Sequence, residues 1–157
     1  MKNVNYKLLI TFIIVALAFG GIGALLGGNM DAFQEINKPS FSPPAILFPI
    51  VWSILYILMG ISSYLICVNN TDFEKFKYKA LGVYLVQLII NSLWTLFFFR
   101  LEWFLFAFIW LILLLVFVII MFIKFYKISP IAGLLQIPYV LWLIFAGVLN
   151  YAIYTLN

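Results

Sequence analysis

The sequence contains no histidine and a single cysteine, Cys67. Proton relays through histidine, Ser-His-Asp triads, histidine metal sites and histidine-ligated haem are therefore excluded, as is an intrachain disulfide. Charged residues make up 9% of the chain, whereas an ordinary soluble domain has about 25%. The composition thus excludes both the common hydrolase and metalloenzyme chemistries and an ordinary soluble domain.

Hydrophobic residues are abundant instead, at 67% of the 157-residue chain. A helix needs about 20 apolar residues to cross a bilayer. Runs of this length occur at about 8–26, 45–68, 80–99, 103–123 and 131–154. These runs predict an all-α, polytopic membrane protein, a five-transmembrane-helix bundle in one domain over residues 1–157. A cleaved signal peptide is the alternative for the first run, but its apolar residues continue past the Ala16-Leu17-Ala18 site.

The net charge of +4 follows the predicted topology. Five spans alternate the connecting segments between two faces of the membrane. One face would carry seven basic residues: Lys2, Lys7, Lys75, Lys77, Lys79, Lys124 and Lys127. The other face would carry only Lys38 and Arg100. The positive-inside rule then predicts a cytoplasmic N-terminus and an outside C-terminus, with the lipid bilayer and no nucleic acid as partner.

The predicted spans hold amides and indoles but no charged residue at depth, where a charge is costly and usually functional. Two sets follow helical spacing: Gln87, Asn91 and Trp94, and Pro138, Trp142, Ala146 and Asn150. Each set forms a stripe on one helix face. At 1.5 Å per residue, six of the polar and aromatic residues are placed in the outer half of the membrane: Trp52, Asn91, Trp94, Trp142, Ala146 and Asn150. The matching depth predicts a cavity there; interhelical hydrogen bonds and an interfacial tryptophan belt are the alternative.

The longest connection, residues 27–44, is predicted to form a lid over this cavity, because loops of that length are often binding loops. Pro43 and Pro44 suit the first turn of the second helix, and Pro49 is expected to bend that helix. The Gly23-x-x-x-Gly27 spacing allows close approach of a neighbouring helix or of a partner protomer. The fourth span has no amide and no seam of small residues, and it is predicted to be the most lipid-exposed.

Four stretches carry a resemblance to a known family: KPSFSPP, PIVWSILYILMG, QLIINSLWTLFFF and IPYVLWLIFAGVLNYAIYTLN. In this order they resemble the TspO/MBR family, which comprises tryptophan-rich sensory proteins, translocator proteins and peripheral-type benzodiazepine receptors. The resemblance implies a five-helix bundle, a homodimer, and a cavity under the first loop for porphyrins and benzodiazepine-type ligands. It also implies a set of ligand-binding residues: Trp52, Asn91, Trp94, Trp142, Ala146, Leu149 and Asn150.

Porphyrin, either protoporphyrin IX or haem, is expected as a ligand and not as a tightly bound cofactor. The propionates of a porphyrin need cations, and Lys38 and Arg100 at the rim are the candidates. The resemblance also implies an alternative, light- and oxygen-dependent porphyrin degradation, in which Trp52 and Trp142 would be catalytic. Sterol binding is not expected, because Tyr151 is followed by no basic residue.

The sequence therefore predicts a receptor, sensor or carrier for tetrapyrroles in a bacterial cell membrane. Two alternatives stay open: an enzyme that destroys bound porphyrin, and a small transporter or structural membrane scaffold with no porphyrin role.

Overall fold

The protein is a bundle of helices in the computed structural model, which describes residues 4–28, 35–70 and 74–157. The described part is 84% helical and contains no strand. Five helical segments within it are long and apolar enough to cross a membrane. The prediction of an all-α bundle with five membrane-spanning helices is confirmed.

The helices follow the apolar runs but extend past several of them. In chain order they are α1 (Tyr6–Gly27), α2 (Leu47–Val68), α3 (Glu74–Thr95), α4 (Phe104–Ile128), α5 (Pro130–Leu134) and α6 (Ile137–Leu156). A π-helical turn, Leu96–Arg100, continues α3. The short α5 and the longer α6 together form the fifth span.

The helix ends are closed by side chains that the sequence provides locally. The Asn5 side chain accepts a hydrogen bond from the Leu8 amide at 3.1 Å at the start of α1, as N-terminal caps commonly do. At the end of α2, the Lys77 ammonium donates to the carbonyls of Cys67 and Asn69 at 3.3 and 3.4 Å. A cation is favourable at this position because the last carbonyls of a helix carry partial negative charge.

The five spans form a closed ring in the order α1, α2, α6, α4, α3. Backbone packing joins α1 to α2 and α3, and α4 to α3 and α6. The remaining pair, α2 and α6, meets through aromatic side chains: Phe48 contacts Trp142 and Trp52 contacts Tyr139, with ring centroids 6.0 and 6.1 Å apart. Large rings thus fill the α2–α6 seam where the backbones stay apart.

Two ends of this bundle are distinguished below. The lid end carries the end of α1, the start of α2, the α3–α4 connection and the end of α6. The lysine end, opposite to it, carries Lys7 at the start of α1, the end of α2, the start of α3 and the α4–α5 connection. Hydrogen bonds join the connections at each end, for example Asn69 Nδ2 to the Ile128 carbonyl at 3.4 Å.

The first helix is the most exposed span, so the prediction that the fourth span would be is wrong. Only 11% of the most apolar stretch of α1 is buried, against 28% in α4. The bulky residues of α4 form an inward seam every three or four positions, for example Leu111, Leu114 and Val118. A seam of large aliphatic residues buries a helix as effectively as a seam of small ones.

The glycine spacing in α1 seats a neighbouring helix of the same chain. A Cβ on Gly23 would lie 3.3 Å from the Ser92 Cα, and one on Gly27 would lie 3.3 Å from the Thr95 Cβ. The Thr95 hydroxyl also donates to the Gly23 carbonyl at 2.6 Å. Of the two readings of this spacing, the structure shows the close packing of α1 on α3.

The prediction placed Pro49 beyond the first turn of α2, where it would bend the helix, and that placement is wrong. The helix begins at Leu47, so Pro49 lies in the first turn, where the amide groups have no helical acceptor and a missing N–H costs nothing. Pro43 and Pro44, expected in that first turn, precede the helix. The Pro44 carbonyl instead accepts from the Leu47 amide at 2.9 Å in the turn that leads into α2.

The predicted lid over residues 27–44 lies partly outside the described residues, because the structure describes nothing between 28 and 35. The described remainder, residues 35–46, is called the lid segment. Its Asn37 amide donates to the Asn157 side-chain oxygen at 3.0 Å, and the Asn157 side-chain nitrogen donates to the Asn37 carbonyl at 2.9 Å. This reciprocal pair fastens the lid segment to the end of α6.

Candidate functional site

A cavity of about 270 Å³ lies between α1, α2 and α3, in the half of the bundle nearer the lid end. Its wall is mainly apolar and aromatic, with a few hydroxyl and amide groups. The lining residues are Leu17, Gly20, Gly21, Ala24, Phe48, Pro49, Trp52, Ser53, Tyr56, Asn91, Trp94, Thr95 and Phe99. None of these residues is acidic or basic.

Three of the four α1 residues that line the cavity are small, and Leu17 is the exception. Gly20, Gly21 and Ala24 present almost no side chain to the cavity. A Cβ on Gly20 would lie 2.5 Å from Cε2 of Tyr56, well inside van der Waals contact, whereas one on Gly21 would meet nothing within 4 Å. Gly20 therefore allows the Tyr56 ring to lie against α1, and Gly21 leaves open space.

The opposite wall is built from aromatic rings on α2 and α3. The rings of Trp52 and Tyr56 are 5.7 Å apart and inclined by 32°. Trp94 stacks on Phe98 at 4.9 Å and meets Phe99 edge-on at 5.8 Å. Such rings offer faces and edges to a planar guest, and each aromatic contact is worth about 1 kcal/mol beyond burial.

The inner end of the cavity is polar. Asn91 and Tyr56 are both buried, and the Asn91 side-chain nitrogen donates to the Tyr56 hydroxyl at 3.0 Å. A buried polar group is costly unless it is hydrogen-bonded, so this bond fixes the positions of both side chains. It also joins α2 to α3 beneath the two tryptophans.

The structure brings only part of the predicted ligand set to the cavity. Trp52, Asn91 and Trp94 line it. Trp142 stands behind the wall, because Phe48 lies between it and the cavity with ring centroids 6.0 Å apart. The indole nitrogen of Trp142 is buried, and it has no hydrogen-bond partner within the described ranges.

The last three predicted residues belong to a packed cluster on the far side of Trp94. Ala146, Leu149 and Asn150 are buried there together with Phe98. Asn150 accepts from the Trp94 indole N–H at 3.3 Å and donates to the Phe104 carbonyl at 2.9 Å. Their role as ligand residues stays a prediction, and in this structure they support Trp94 from behind.

The two polar stripes do meet at one level, but they bond to each other. The Tyr139 hydroxyl donates to the Gln87 side-chain oxygen at 2.9 Å, about two turns along α3 and three turns along α6 from the Trp94–Asn150 bond. The open space lies on the α1 side of α3 and not between α3 and α6. Interhelical hydrogen bonds, the alternative reading of the amides, therefore describe Gln87, Asn91 and Asn150, and of these three only Asn91 also lines the cavity.

Sequence reasoning missed the α1 contribution and several aromatic neighbours. The missed lining residues are Leu17, Gly20, Gly21, Ala24, Phe48, Pro49, Ser53, Tyr56, Thr95 and Phe99. A signal for the α1 wall was present: Gly20, Gly21 and Ala24 follow helical spacing next to the Gly23-x-x-x-Gly27 pair. That pattern was interpreted only as helix packing.

The two rim cations lie at the lid end of the bundle. Arg100 is exposed and directly follows Phe99, a residue of the cavity wall. Lys38 is exposed and directly follows Asn37, which is fastened to Asn157. The cavity can therefore hold a flat molecule by stacking and hydrogen bonding, and the two cations offer positive charge outside it. The lining residues contain no acid–base pair.

Comparison with known proteins identifies the family. The TspO/MBR family matches residues 11–156. Protein CrtK of Rhodobacter capsulatus is 33% identical over 153 residues, which is 98% of this chain and 94% of the relative. The tryptophan-rich protein TspO of Archaeoglobus fulgidus is 36% identical over 155 residues, with 98% and 99% covered. The human translocator protein is 32% identical over 139 residues, with 88% and 82% covered. This chain is a multi-pass membrane protein that belongs to the TspO/MBR family.

Proposed function

We propose that this protein is a membrane receptor, sensor or carrier for porphyrin-type tetrapyrroles, which it binds in the cavity between α1, α2 and α3. The observation that carries the proposal is the pairing of the small residues Gly20, Gly21 and Ala24 of α1 with the Trp52 and Trp94 rings opposite them. A slot between a smooth wall and aromatic rings favours a planar apolar guest over a globular one.

The size of the cavity limits how such a guest is seated. Its volume of about 270 Å³ is just below the range of about 300–1,000 Å³ for sites that enclose a drug-sized ligand. A tetrapyrrole macrocycle would therefore enter with one edge, or it would displace part of the wall. Phe48 is the wall residue whose displacement would join the cavity to Trp142 and its unpartnered indole N–H.

Charge at the lid end supports the same orientation of the guest. The cavity wall contains no charged residue, so carboxylates would stay outside it, where Lys38 and Arg100 lie. We place the propionates there, with the macrocycle edge pointing inward to Asn91. The lysine end would then be cytoplasmic, in a bacterial cell membrane, in agreement with the positive-inside rule.

The test is a titration of detergent-purified protein with protoporphyrin IX in the dark, followed by quenching of tryptophan fluorescence. Trp52→Phe removes part of one stacking face, worth about 1 kcal/mol, so the Kd should rise about fivefold. Trp103→Phe is the matched control, because Trp103 is 55% exposed and lies outside the cavity. Equal Kd values for the two variants would contradict the proposed site.

A second titration separates the charge contribution. Lys38→Gln combined with Arg100→Gln should weaken the binding of protoporphyrin but not that of its dimethyl ester, since only the diacid carries propionate charge. Equal losses for both ligands would refute the pairing. No quenching by either ligand in the wild type would favour a transporter or scaffold. Faster loss of porphyrin in light and air with the protein than without it would favour the degradation alternative.

A further inference from the structure

Three lysines converge on one groove at the lysine end. Lys75 and Lys79 are four residues apart in the first turns of α3 and are both exposed. Residues at this spacing share a helix face. Lys124 comes from the last turns of α4, the neighbour of α3 in the ring, and its ammonium lies 5.0 Å from the ring centre of Phe76 on α3. The contact places Lys124 at the same level as the first turn of α3.

The direction of Lys75 and Lys79 follows from the contacts of α3. At 100° per residue, they lie on the α3 face between Phe76, which meets α4, and Leu85, which is 48% exposed to the outside of the bundle. Lys77, by contrast, points to the opposite side, where it donates to the carbonyls at the end of α2. Lys75 and Lys79 therefore border the α3–α4 groove.

No negative charge of the described chain balances this cluster. Within the described ranges, Lys75, Lys79 and Lys124 form no ion pair. Glu74 precedes Lys75 by one residue, which turns it about 100° away around the helix. The groove above the lysines is apolar, and it is bordered on its outer side by Val86, 40% exposed, and Val116, 47% exposed.

We propose that this groove binds one anionic phospholipid, with the phosphate among Lys75, Lys79 and Lys124 and an acyl chain along the surface of α3 and α4. Charge complementarity selects the anion, since basic pockets between membrane helices recognise anionic headgroups. Depth selects a lipid, because the three lysines stand in the chain where the long apolar stretches of α3 and α4 begin or end. Phe76 holds Lys124 in the groove through a cation–π contact.

The experiment measures retention of phosphatidylglycerol by the intact protein in native mass spectrometry, with phosphatidylcholine as the neutral comparison. Lys79→Gln with Lys124→Gln removes two charges from the groove. Lys7→Gln with Lys77→Gln removes two charges from the same end but outside the groove, since Lys77 points to the end of α2. Since each lysine contributes about fivefold to binding near an anionic surface, the groove pair should weaken phosphatidylglycerol binding about 30-fold and the control pair less than about fivefold.

Three results would overturn the assignment. Equal loss in the two double variants would mean that only the net charge of this end matters. Equal retention of phosphatidylglycerol and phosphatidylcholine by the wild type would exclude an anionic site, and this arm needs no variant. Displacement of the lipid by inorganic phosphate at equal concentration would mean that the lysines bind phosphate without any contribution from the acyl chain.

Discussion

Gly20 and Gly21, two adjacent glycines in α1, offer the sharpest test of the cavity, because an alanine would collide with Tyr56 at the first position and meet open space at the second. Gly20→Ala would place a methyl carbon 2.5 Å from Cε2 and 2.8 Å from Cδ2 of Tyr56, whereas Gly21→Ala would meet nothing within 4 Å. Ordinary carbon contacts begin near 3.5 Å. The Tyr56 ring would therefore have to move by about 1 Å in the first variant and not at all in the second.

Tyr56 cannot make this movement freely. It is 7% exposed, it packs against Trp52, and its hydroxyl accepts from Asn91 at 3.0 Å. A displacement of about 1 Å breaks a hydrogen bond of this length, and leaving a buried polar group unpaired costs about 1–3 kcal/mol. At about 2–4 °C per kcal/mol for a chain of this size, this cost corresponds to a fall of about 2–12 °C in the midpoint of thermal unfolding of Gly20→Ala.

The porphyrin titration then connects this change to the site. Because Trp52 moves with Tyr56, Gly20→Ala should also raise the Kd for protoporphyrin IX several-fold in the protein that remains folded. Gly21→Ala should keep the wild-type unfolding temperature or raise it slightly, since alanine favours a helix more than glycine does. If both variants unfold at the same temperature and bind with the same Kd, the described position of Tyr56 against α1 is wrong.

Two further predictions concern the packing of α1 on α2 and the fastening of the lid segment. Gly60→Ala would place a Cβ 2.6 Å from the Ile13 Cα, whereas a Cβ in Gly82→Ala would meet nothing within 4 Å. Backbone atoms cannot move aside as a side chain can, so only Gly60→Ala should lower the thermal unfolding midpoint. The corresponding loss of stability is about 1–3 kcal/mol. Asn157→Ala removes both hydrogen bonds to Asn37, so hydrogen exchange at the Asn37 amide should accelerate about tenfold, for a loss of about 1.4 kcal/mol. Thr155→Ala, whose hydroxyl bonds only to the nearby Ala152 carbonyl, is its control, and equal acceleration in both variants would argue against the fastening.

The membrane class and the five spans could be predicted, because a helix that crosses the hydrocarbon core of a bilayer must be apolar over about 20 residues. Both properties can be read directly from the sequence. The depth of polar residues also follows from counting, and Gln87 and Asn150 indeed lie level with their partners on the facing helix. Counting residues along a helix gives the depth of each residue in the membrane, but it does not give the rotation of the helix about its axis. Which side of α3 holds open space depends on how closely α1 approaches, and that distance is set by the glycines of a different helix.

Lipid exposure was mispredicted for a related physical reason. Composition indicated that α4 is peripheral, because it has no amide and no seam of small residues, but aliphatic residues serve equally well in a core and against lipid. Its position between α3 and α6 buries Leu111 and Leu114. The start of α2 could not be predicted, because the proline-rich sequence allows the helix to begin at more than one turn. Only the structure shows that Leu47 is the first helical residue.

The hydrogen-bonded pair of Asn37 and Asn157 matters for how the protein is prepared. Any affinity tag or fluorescent protein fused after Asn157 would begin at the residue that fastens the lid segment, on the same side of the bundle as Arg100. A fusion before Tyr6 would leave from the opposite side. Ligand titrations on the two kinds of fusion would therefore not be equivalent, and only the N-terminal kind leaves the approach to the cavity as it is in the untagged chain.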